Sequence, residues 1–352
     1  MNRSWTLLAS AALAIATASR AAELPTIPLM QTPPPAKAAT RGPNQKLTPD
    51  AQLLTPEDLA ARHKLSAFVT CLNGVTAILP NLSRPYRDAF RAVSRNLTNG
   101  IDSTSYTWMY QSNYLLHGPQ TMGHPPLQEC ADRLAAAVAK PPADEPLDTL
   151  GTAYAADLLK LDVLAPKVEA YYNGKDFRDD KMARGRTLNA EYEPLLQRLL
   201  DGGRTMFVLA RAREDVLQQR RLDSIERLDG KQLRWQANAF LMQSRSALDG
   251  LKALIAEKKV TKAAVLALVT PLETRFAEAS NYAVAHPDEN NEEMTLWAAI
   301  AGHSYAADFL TAAKQARRDA DDPGTIAKVP NDAERMSYNF NNMLDYTNSS
   351  KR

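Results

Sequence analysis

The chain has 352 residues, of which 45% are hydrophobic, 23% charged and 7% aromatic, a mixture typical of a folded globular protein. Lysine and arginine total 42 against 40 for aspartate and glutamate, so the sequence lacks the basic excess expected of a nucleic-acid-binding protein. With only 2 cysteines and 5 histidines, a cysteine-rich zinc module and a scaffold held by several disulfides are excluded.

Residues 1–21 have the three-part pattern of a secretory signal peptide. Arg3 supplies the positive charge, and residues 6–18 form an apolar run too short to span a bilayer about 30 Å thick as a helix. Small residues, Ser19 and Ala21, precede the expected cleavage site. The sequence therefore predicts an exported, periplasmic protein that has no transmembrane segment after cleavage.

The next segment, residues 22–54, is rich in proline and has almost no periodic apolar pattern. Seven prolines lie between positions 25 and 49. Proline at this density favours extended, polyproline-like chain over packed elements. We expect residues 22–54 to form a disordered tether.

Helical periodicity dominates from Thr55 onward. Thr55, with Asp58 three residues later and Pro56 at the first helical position, predicts a helix start. Apolar residues three and four apart then predict one buried face: Leu65, Phe68, Val69, Leu72, Val75 and Leu79.

The same spacing predicts a series of further helices. They cover about 84–95, 127–138, 147–172, 188–199, 204–228, 231–255, 261–279, 296–316 and 332–346, with a bend or break at Gly202–Gly203 and a kink at Pro271. Because no segment alternates convincingly with a period of two, the sequence predicts no strands. Residues 55–348 are predicted to form one all-α domain, an elongated multi-helix bundle of long antiparallel helices.

One corner between two long helices carries a concentration of polar and aromatic side chains. Asn173 and Gly174 are expected to stop the first helix, because both tolerate the left-handed conformation. Three carboxylates then lie where the next helix begins and would accept its free amide hydrogens: Asp176, Asp179 and Asp180. Three aromatic residues would pack the corner: Tyr171, Tyr172 and Phe177. The alternative is a cation site or an acid/base pair made by the aspartates.

Two other groups are candidate binding residues. Tyr106, Trp108 and Tyr110 lie on a helical stripe that is either core or an exposed platform for a sugar ring or an apolar ligand. His117 and His124 flank a Gly/Pro-rich loop and are either two exposed loop histidines or two metal ligands.

Three segments carry a resemblance to a known family: KLSAFVTCLNGVTAILPNLSRPY at 64–86, LAPKVEAYYNGKDFRDDKMARGRTL at 164–188 and SYNFNNMLDYTN at 337–348. Together they resemble the YiiG-like family of bacterial envelope proteins, a domain of unknown function. The resemblance implies an envelope location and no established activity. Several relatives are lipoproteins, whereas this chain has no cysteine near the expected cleavage site, and Asn189 stands where the family tends to have histidine.

The two cysteines, Cys71 and Cys130, are predicted to form a disulfide. Export places both in an oxidising compartment. Each also lies on an apolar stripe, because Cys71 follows Phe68 by three residues and Cys130 follows Leu127 by three. The alternative is two separately buried free thiols.

These patterns favour a non-catalytic envelope protein that binds a partner protein, a glycan or a lipid, and they predict neither nucleic-acid binding nor a cofactor. No catalytic or phosphate-binding motif is recognisable. The alternative is a metal-assisted or acid/base hydrolase that uses Asp176, Asp179 and Asp180 or the loop of His117 and His124.

Overall fold

A computed structural model describes residues 48–76, 79–95, 127–287, 297 and 304–349. These residues contain nine α-helices and no strand, so the all-α prediction is confirmed. The helices are α1 Pro56–Thr76, α2 Leu79–Arg95, α3 Leu127–Val138, α4 Glu145–Asn173, α5 Ala183–Asp229, α6 Leu233–Ala256, α7 Lys262–Ala285, α8 Tyr305–Asp319 and α9 Val329–Ser349. None of these helices combines the length and the apolar character needed to cross a membrane.

The chain divides into two compact units where the sequence predicted one domain. The first, here called the disulfide unit, is Thr55–Leu217. The second, here called the carboxy-terminal unit, combines the described residues after position 217 with residues 48–54. The division falls within α5, at a point where the apolar periodicity of the sequence continues without interruption. Periodicity reports which face of a helix is buried but not which other helices cover it, so it gave no sign of the boundary.

The start of the disulfide unit follows the sequence prediction closely. Thr55 Oγ1 accepts a hydrogen bond from the backbone nitrogen of Asp58 at 3.1 Å, which caps α1. All six residues of the predicted apolar face are buried: Leu65, Phe68, Val69, Leu72, Val75 and Leu79. The predicted disulfide is present and joins Cys71 of α1 to Cys130 of α3, with 5.1 Å between their Cα atoms.

Helices α4 and α5 run antiparallel and are joined by contacts along their length. Arg198 Nε of α5 lies 3.0 Å from Asp157 Oδ2 of α4, and Arg213 Nε lies 2.7 Å from Asp144 Oδ2, at the residue just before α4. Of the bend or break predicted at Gly202–Gly203, the break is absent, because α5 continues through both glycines. A Cβ on Gly202 would lie at an ordinary contact distance of 3.4 Å from the Tyr154 ring, so this part of α5 packs against α4.

The core of the carboxy-terminal unit is formed by α6, α7, α8 and α9. Among its fully buried aromatic side chains are Phe240 of α6 and Phe309 of α8. Thr261 caps α7, where its Oγ1 accepts from the backbone nitrogen of Ala264 at 3.2 Å, and α7 continues through Pro271. Of the helix predicted over 296–316, the structure describes Trp297, which is helical, and α8, which starts after Ser304, a residue with a φ of 64°.

The last residues of the segment predicted as a tether are packed. Leu53 is 1% exposed and lies in a cluster with Ile225 and Trp235. Thr48 Oγ1 donates to Asp229 Oδ1 at 2.6 Å, and Arg234 Nη1 donates to the Thr48 carbonyl oxygen at 2.6 Å. Residues 48–54 therefore belong to the carboxy-terminal unit, because a buried leucine and a buried ion pair hold them there. The rest of the predicted tether and the signal peptide lie outside the described residues.

Candidate functional site

The corner between α4 and α5 begins where the sequence predicted a helix end. Helix α4 ends at Asn173, but Gly174 has a φ of −68°, so it is not the left-handed residue. That conformation falls instead on Lys175, with a φ of 60°, and again on Lys181 and Met182. Gly174 has a different role, because a Cβ at this position would lie 2.7 Å from Asp176 Oδ1. The corner is therefore a tight turn with three left-handed non-glycine residues, a feature that no residue preference predicts.

Asp180 holds the start of α5 with both carboxylate oxygens. Oδ2 accepts a hydrogen bond from the backbone nitrogen of Arg184 at 2.9 Å, and Oδ1 accepts from the Tyr171 hydroxyl at 2.8 Å. Desolvation of the carboxylate favours its neutral form, but these hydrogen bonds and those from the backbone of Met182 and Ala183 outweigh it and lower the pKa of Asp180. The predicted capping role of this residue matches the geometry.

The other two aspartates of the corner are less engaged. Asp176 Oδ2 lies 3.9 Å from Arg184 Nη1, a loose and largely exposed ion pair. Asp179 is exposed, and its carboxylate takes part in none of the hydrogen bonds or ion pairs found among the described residues. The three carboxylates therefore do not converge on one point, and only Asp180 is a cap.

The aromatic residues of the corner are buried and extend into a larger cluster. Tyr171, Tyr172 and Phe177 are each at most 4% exposed. The ring of Tyr172 meets that of Tyr86, on α2, edge to face with 6.4 Å between centroids. The Tyr86 ring in turn lies 4.6 Å from that of Tyr192, on α5. The cluster therefore joins α2, α4 and α5 within the disulfide unit.

The phenol groups of this cluster stay neutral at physiological pH. Burial is the main cause that raises the pKa of Tyr86 far above its ordinary value. Burial and the hydrogen bond to Asp180 raise the pKa of Tyr171 to about 12. Tyr86 uses its hydrogen to donate to Asn189 Oδ1 at 3.1 Å. The hydroxyl groups of Tyr86 and Tyr171 therefore act as hydrogen-bond donors and not as bases.

Sequence reasoning missed several buried charged groups, among them the ammonium of Lys64 on α1. Its Nζ donates to the carbonyl oxygens of Lys140 and Pro142 at 3.0 and 2.9 Å, and to Asp148 Oδ2 at 2.8 Å. The side chain is 3% exposed. A lysine directly beside Leu65 on the buried stripe was the available signal, because a charged residue there requires buried partners. The group holds the connection between α3 and α4.

The remaining candidates lie outside the described residues. These are Tyr106, Trp108 and Tyr110 of the aromatic stripe, and His117 and His124 of the loop. Within the described ranges, no three His, Cys, Asp or Glu side chains are grouped closely enough to hold a metal ion. The structure thus brings together the Asp180 cap and the tyrosine cluster at the end of α4, whereas the contacts of Lys64 lie at the start of the same helix.

The cap at Asp180 leads to a prediction with a matched control in the same corner. We expect Asp180→Ala to lower the thermal midpoint by roughly 2–4 °C, the size of a lost helix cap. Asp179→Ala should leave the midpoint unchanged. Because the pKa of Asp180 is lowered in the folded state, its stabilisation is present at neutral pH and is lost as the pH falls through that pKa. Calorimetry at pH 7 and pH 3 tests both expectations; equal effects of the two variants would contradict the cap.

These features define an all-helical, disulfide-linked protein whose central corner is a packed aromatic cluster closed by a helix cap. The chain belongs to the family described as "Protein of unknown function (DUF3829)", which matches residues 60–349. A curated relative from Escherichia coli (strain K12), described as "Uncharacterized protein YiiG", is 23% identical over 266 residues, which cover 73% of this chain and 71% of the relative. No solved structure matches the chain. The family expected from the three sequence segments is therefore the right one.

Proposed function

We propose that this protein is exported to the periplasm and acts there as a non-catalytic helical module that binds an envelope partner. The single observation that carries the location is the Cys71–Cys130 disulfide, because such bonds persist in oxidising compartments and are rare in the reducing cytoplasm. The signal-like residues 1–21 support the same location, and the absence of a cysteine near the cleavage site favours release over lipid anchoring.

The non-catalytic role is supported by how the polar groups of the corner are used. Asp180 is occupied by a helix start and by Tyr171, and the three donors of Lys64 each meet an acceptor. A general base or a nucleophile needs a lone pair or a proton that a substrate can reach. Groups committed in this way stabilise a scaffold, so recognition would fall to its surface. Binding experiments with an envelope protein, a glycan and a lipid would identify the partner.

Export is tested by fractionation and N-terminal sequencing of the protein from its native envelope. We expect a soluble periplasmic chain that begins near Ala22 and has no free thiol under denaturing, non-reducing conditions. Leu13→Arg, which places a charge in the apolar run of the signal, is the matched control and should leave the chain in the cytoplasm with two free thiols. An intact Met1 in the membrane fraction, or two free thiols in the periplasmic chain, would contradict the proposal.

The non-catalytic role is tested by metal analysis of the native protein. We expect no stoichiometric metal in the purified chain. Stoichiometric metal that is lost in Asp176→Ala or Asp180→Ala, or in a variant of His117 or His124, would instead favour the metal-assisted hydrolase.

A further inference from the structure

A pair of buried carboxyl groups lies in the carboxy-terminal unit, away from the corner described above. Asp319 is the last residue of α8 and Asp332 lies in the first turn of α9, and they are 6% and 2% exposed. Their carboxyl groups lie close enough to share a hydrogen bond. Asp332 Oδ2 is fully buried and meets no donor nitrogen or hydroxyl group in the described part of the chain.

A hydrogen bond between these two carboxyl groups requires a proton. Two ionised carboxylates are acceptors only, so a hydrogen bond between them exists only when one of them is protonated. The Gln315 side-chain amide donates to Asp319 Oδ1 at 3.1 Å. Asp332 Oδ2 has no such donor among the described residues. When both groups are ionised, two negative charges face each other inside the protein, and neither is fully hydrogen-bonded.

The charged groups around the pair offset this repulsion only in part. Lys328, in the turn before α9, and Arg335, one helical turn beyond Asp332, both favour the ionised form. Arg335 Nη1 is 3.7 Å from Asp332 Oδ1, and its side chain is 68% exposed, so solvent screens the attraction.

Two cations on the helices that pack against α8 and α9 have contacts of their own. From α7, Lys262 pairs with Asp321 at 2.7 Å, and from α6, Arg245 lies over the Phe340 ring. The helix dipoles act in opposite directions on the pair, because Asp319 ends α8, whereas Asp332 lies in the first turn of α9, where a negative charge is favoured.

We propose that Asp319 and Asp332 form a proton-binding pair that makes the junction of α8 and α9 respond to pH. In the protonated state one hydrogen bond closes the junction, and in the ionised state the two carboxylates repel each other and weaken it. The ligand of this site is a single proton. The inference stands on residues independent of the corner and does not depend on the proposed location.

The direction of the response follows from the shift of the titration. Burial, the hydrogen bond to Asp319 and the charge of Asp319 raise the pKa of Asp332 to about 6, whereas an aspartate in the unfolded chain titrates near about 3.9. Between these two pKa values, the folded state therefore binds a proton that the unfolded state does not bind. This stabilisation is fully present below the unfolded pKa and is lost as the pH rises through about 6.

The test compares three full-length mature proteins by thermal unfolding at pH 7.5 and pH 5. Asp332→Asn replaces the carboxyl by a neutral group of the same shape. It should raise the thermal midpoint by roughly 3 °C at pH 7.5, where the wild type carries both charges, and by less than half of that at pH 5. The control is Glu334→Gln on the same helix, whose exposed carboxylate should give the same small change at both values.

A second measurement does not depend on any variant being stable. In wild-type protein labelled with ¹³C at the aspartate carboxyl groups, one resonance should titrate near pH 6 and be absent from Asp332→Asn or Asp319→Asn. A midpoint difference between Asp332→Asn and wild type that is the same at both pH values would overturn the proposal. So would the absence of any aspartate that titrates between pH 5 and pH 7.

Discussion

Reduction of the Cys71–Cys130 disulfide is expected to lower the free energy of unfolding of the disulfide unit by about 4 kcal/mol. The bond closes a loop between residues separated by 59 positions, and an open chain of that length regains much conformational freedom when it unfolds. Both sulfur atoms are buried between α1 and α3, so the native contacts stay largely in place and the change acts mainly on the unfolded chain.

Calorimetry of the mature protein with and without reductant measures this effect. A loss of this size corresponds to a drop in the thermal midpoint of roughly 10 °C for a unit of this length. The control is the double variant Cys71→Ala with Cys130→Ala, which should unfold near the reduced wild type and should not respond to reductant. If reduction leaves the wild-type midpoint unchanged, the bond has no structural role.

Lys64→Met is expected to lower the free energy of unfolding by about 3 kcal/mol, the cost of removing one partner from a buried ion pair. Methionine is unbranched and only one atom shorter than lysine, so most of the packing of α1 is retained. It removes the ammonium that donates to the carbonyl oxygens of Lys140 and Pro142 and to Asp148. Three acceptors then remain in a poorly solvated place, and such groups cost more when unpaired than the hydrogen bonds contributed.

The matched control for this variant is Lys160→Met on α4. Lys160 also pairs with an aspartate, at 3.4 Å from Asp157 Oδ1, but its side chain is 66% exposed. Its loss should cost less than about 0.5 kcal/mol, because water replaces the contact. Denaturant unfolding of both variants measures the difference. Costs for Lys64→Met and Lys160→Met that agree within error would show that burial does not strengthen the Lys64 contacts.

Local and periodic features of the sequence predicted much of this fold. The cap at Thr55 depends on residues within one turn, and the buried face of α1 depends on spacing alone, so both could be read without any knowledge of the partner helices. The disulfide could be predicted because only two cysteines are present, and each lies on an apolar stripe. The capping role of Asp180 was equally local.

Features that depend on distant residues were missed. At Gly202, α5 packs beside the Tyr154 ring, which is 48 positions away in the chain, a contact that sequence spacing does not reveal. By themselves, two adjacent glycines favour a helix end. The partners of Lys64 are two carbonyl groups and one carboxylate near the start of α4, and a carbonyl group carries no sequence signature.

In the candidate site, too, local features were predicted and features that depend on distant residues were missed. Its residues were named correctly as a corner, but the left-handed turn falls on Lys175 and not on Gly174, because the hydrogen bonds of the turn decide which residue adopts it. Burial of Tyr86 and Tyr192 against Tyr172 depends on three helices that meet. The pair of Asp319 and Asp332 joins two helices across a turn, and neither residue differs locally from an ordinary surface aspartate.

The anchoring of Thr48 and Leu53 bears on how the protein can be shortened. The family match begins at residue 60, and a chain trimmed to that start would lack both anchoring residues. Trp235 and Ile225 would then lose the cover of Leu53, and the buried pair of Asp229 and Arg234 would lose Thr48. Freshly exposed apolar surface of this kind promotes aggregation. A soluble fragment for crystallisation or binding studies should therefore begin ahead of position 48.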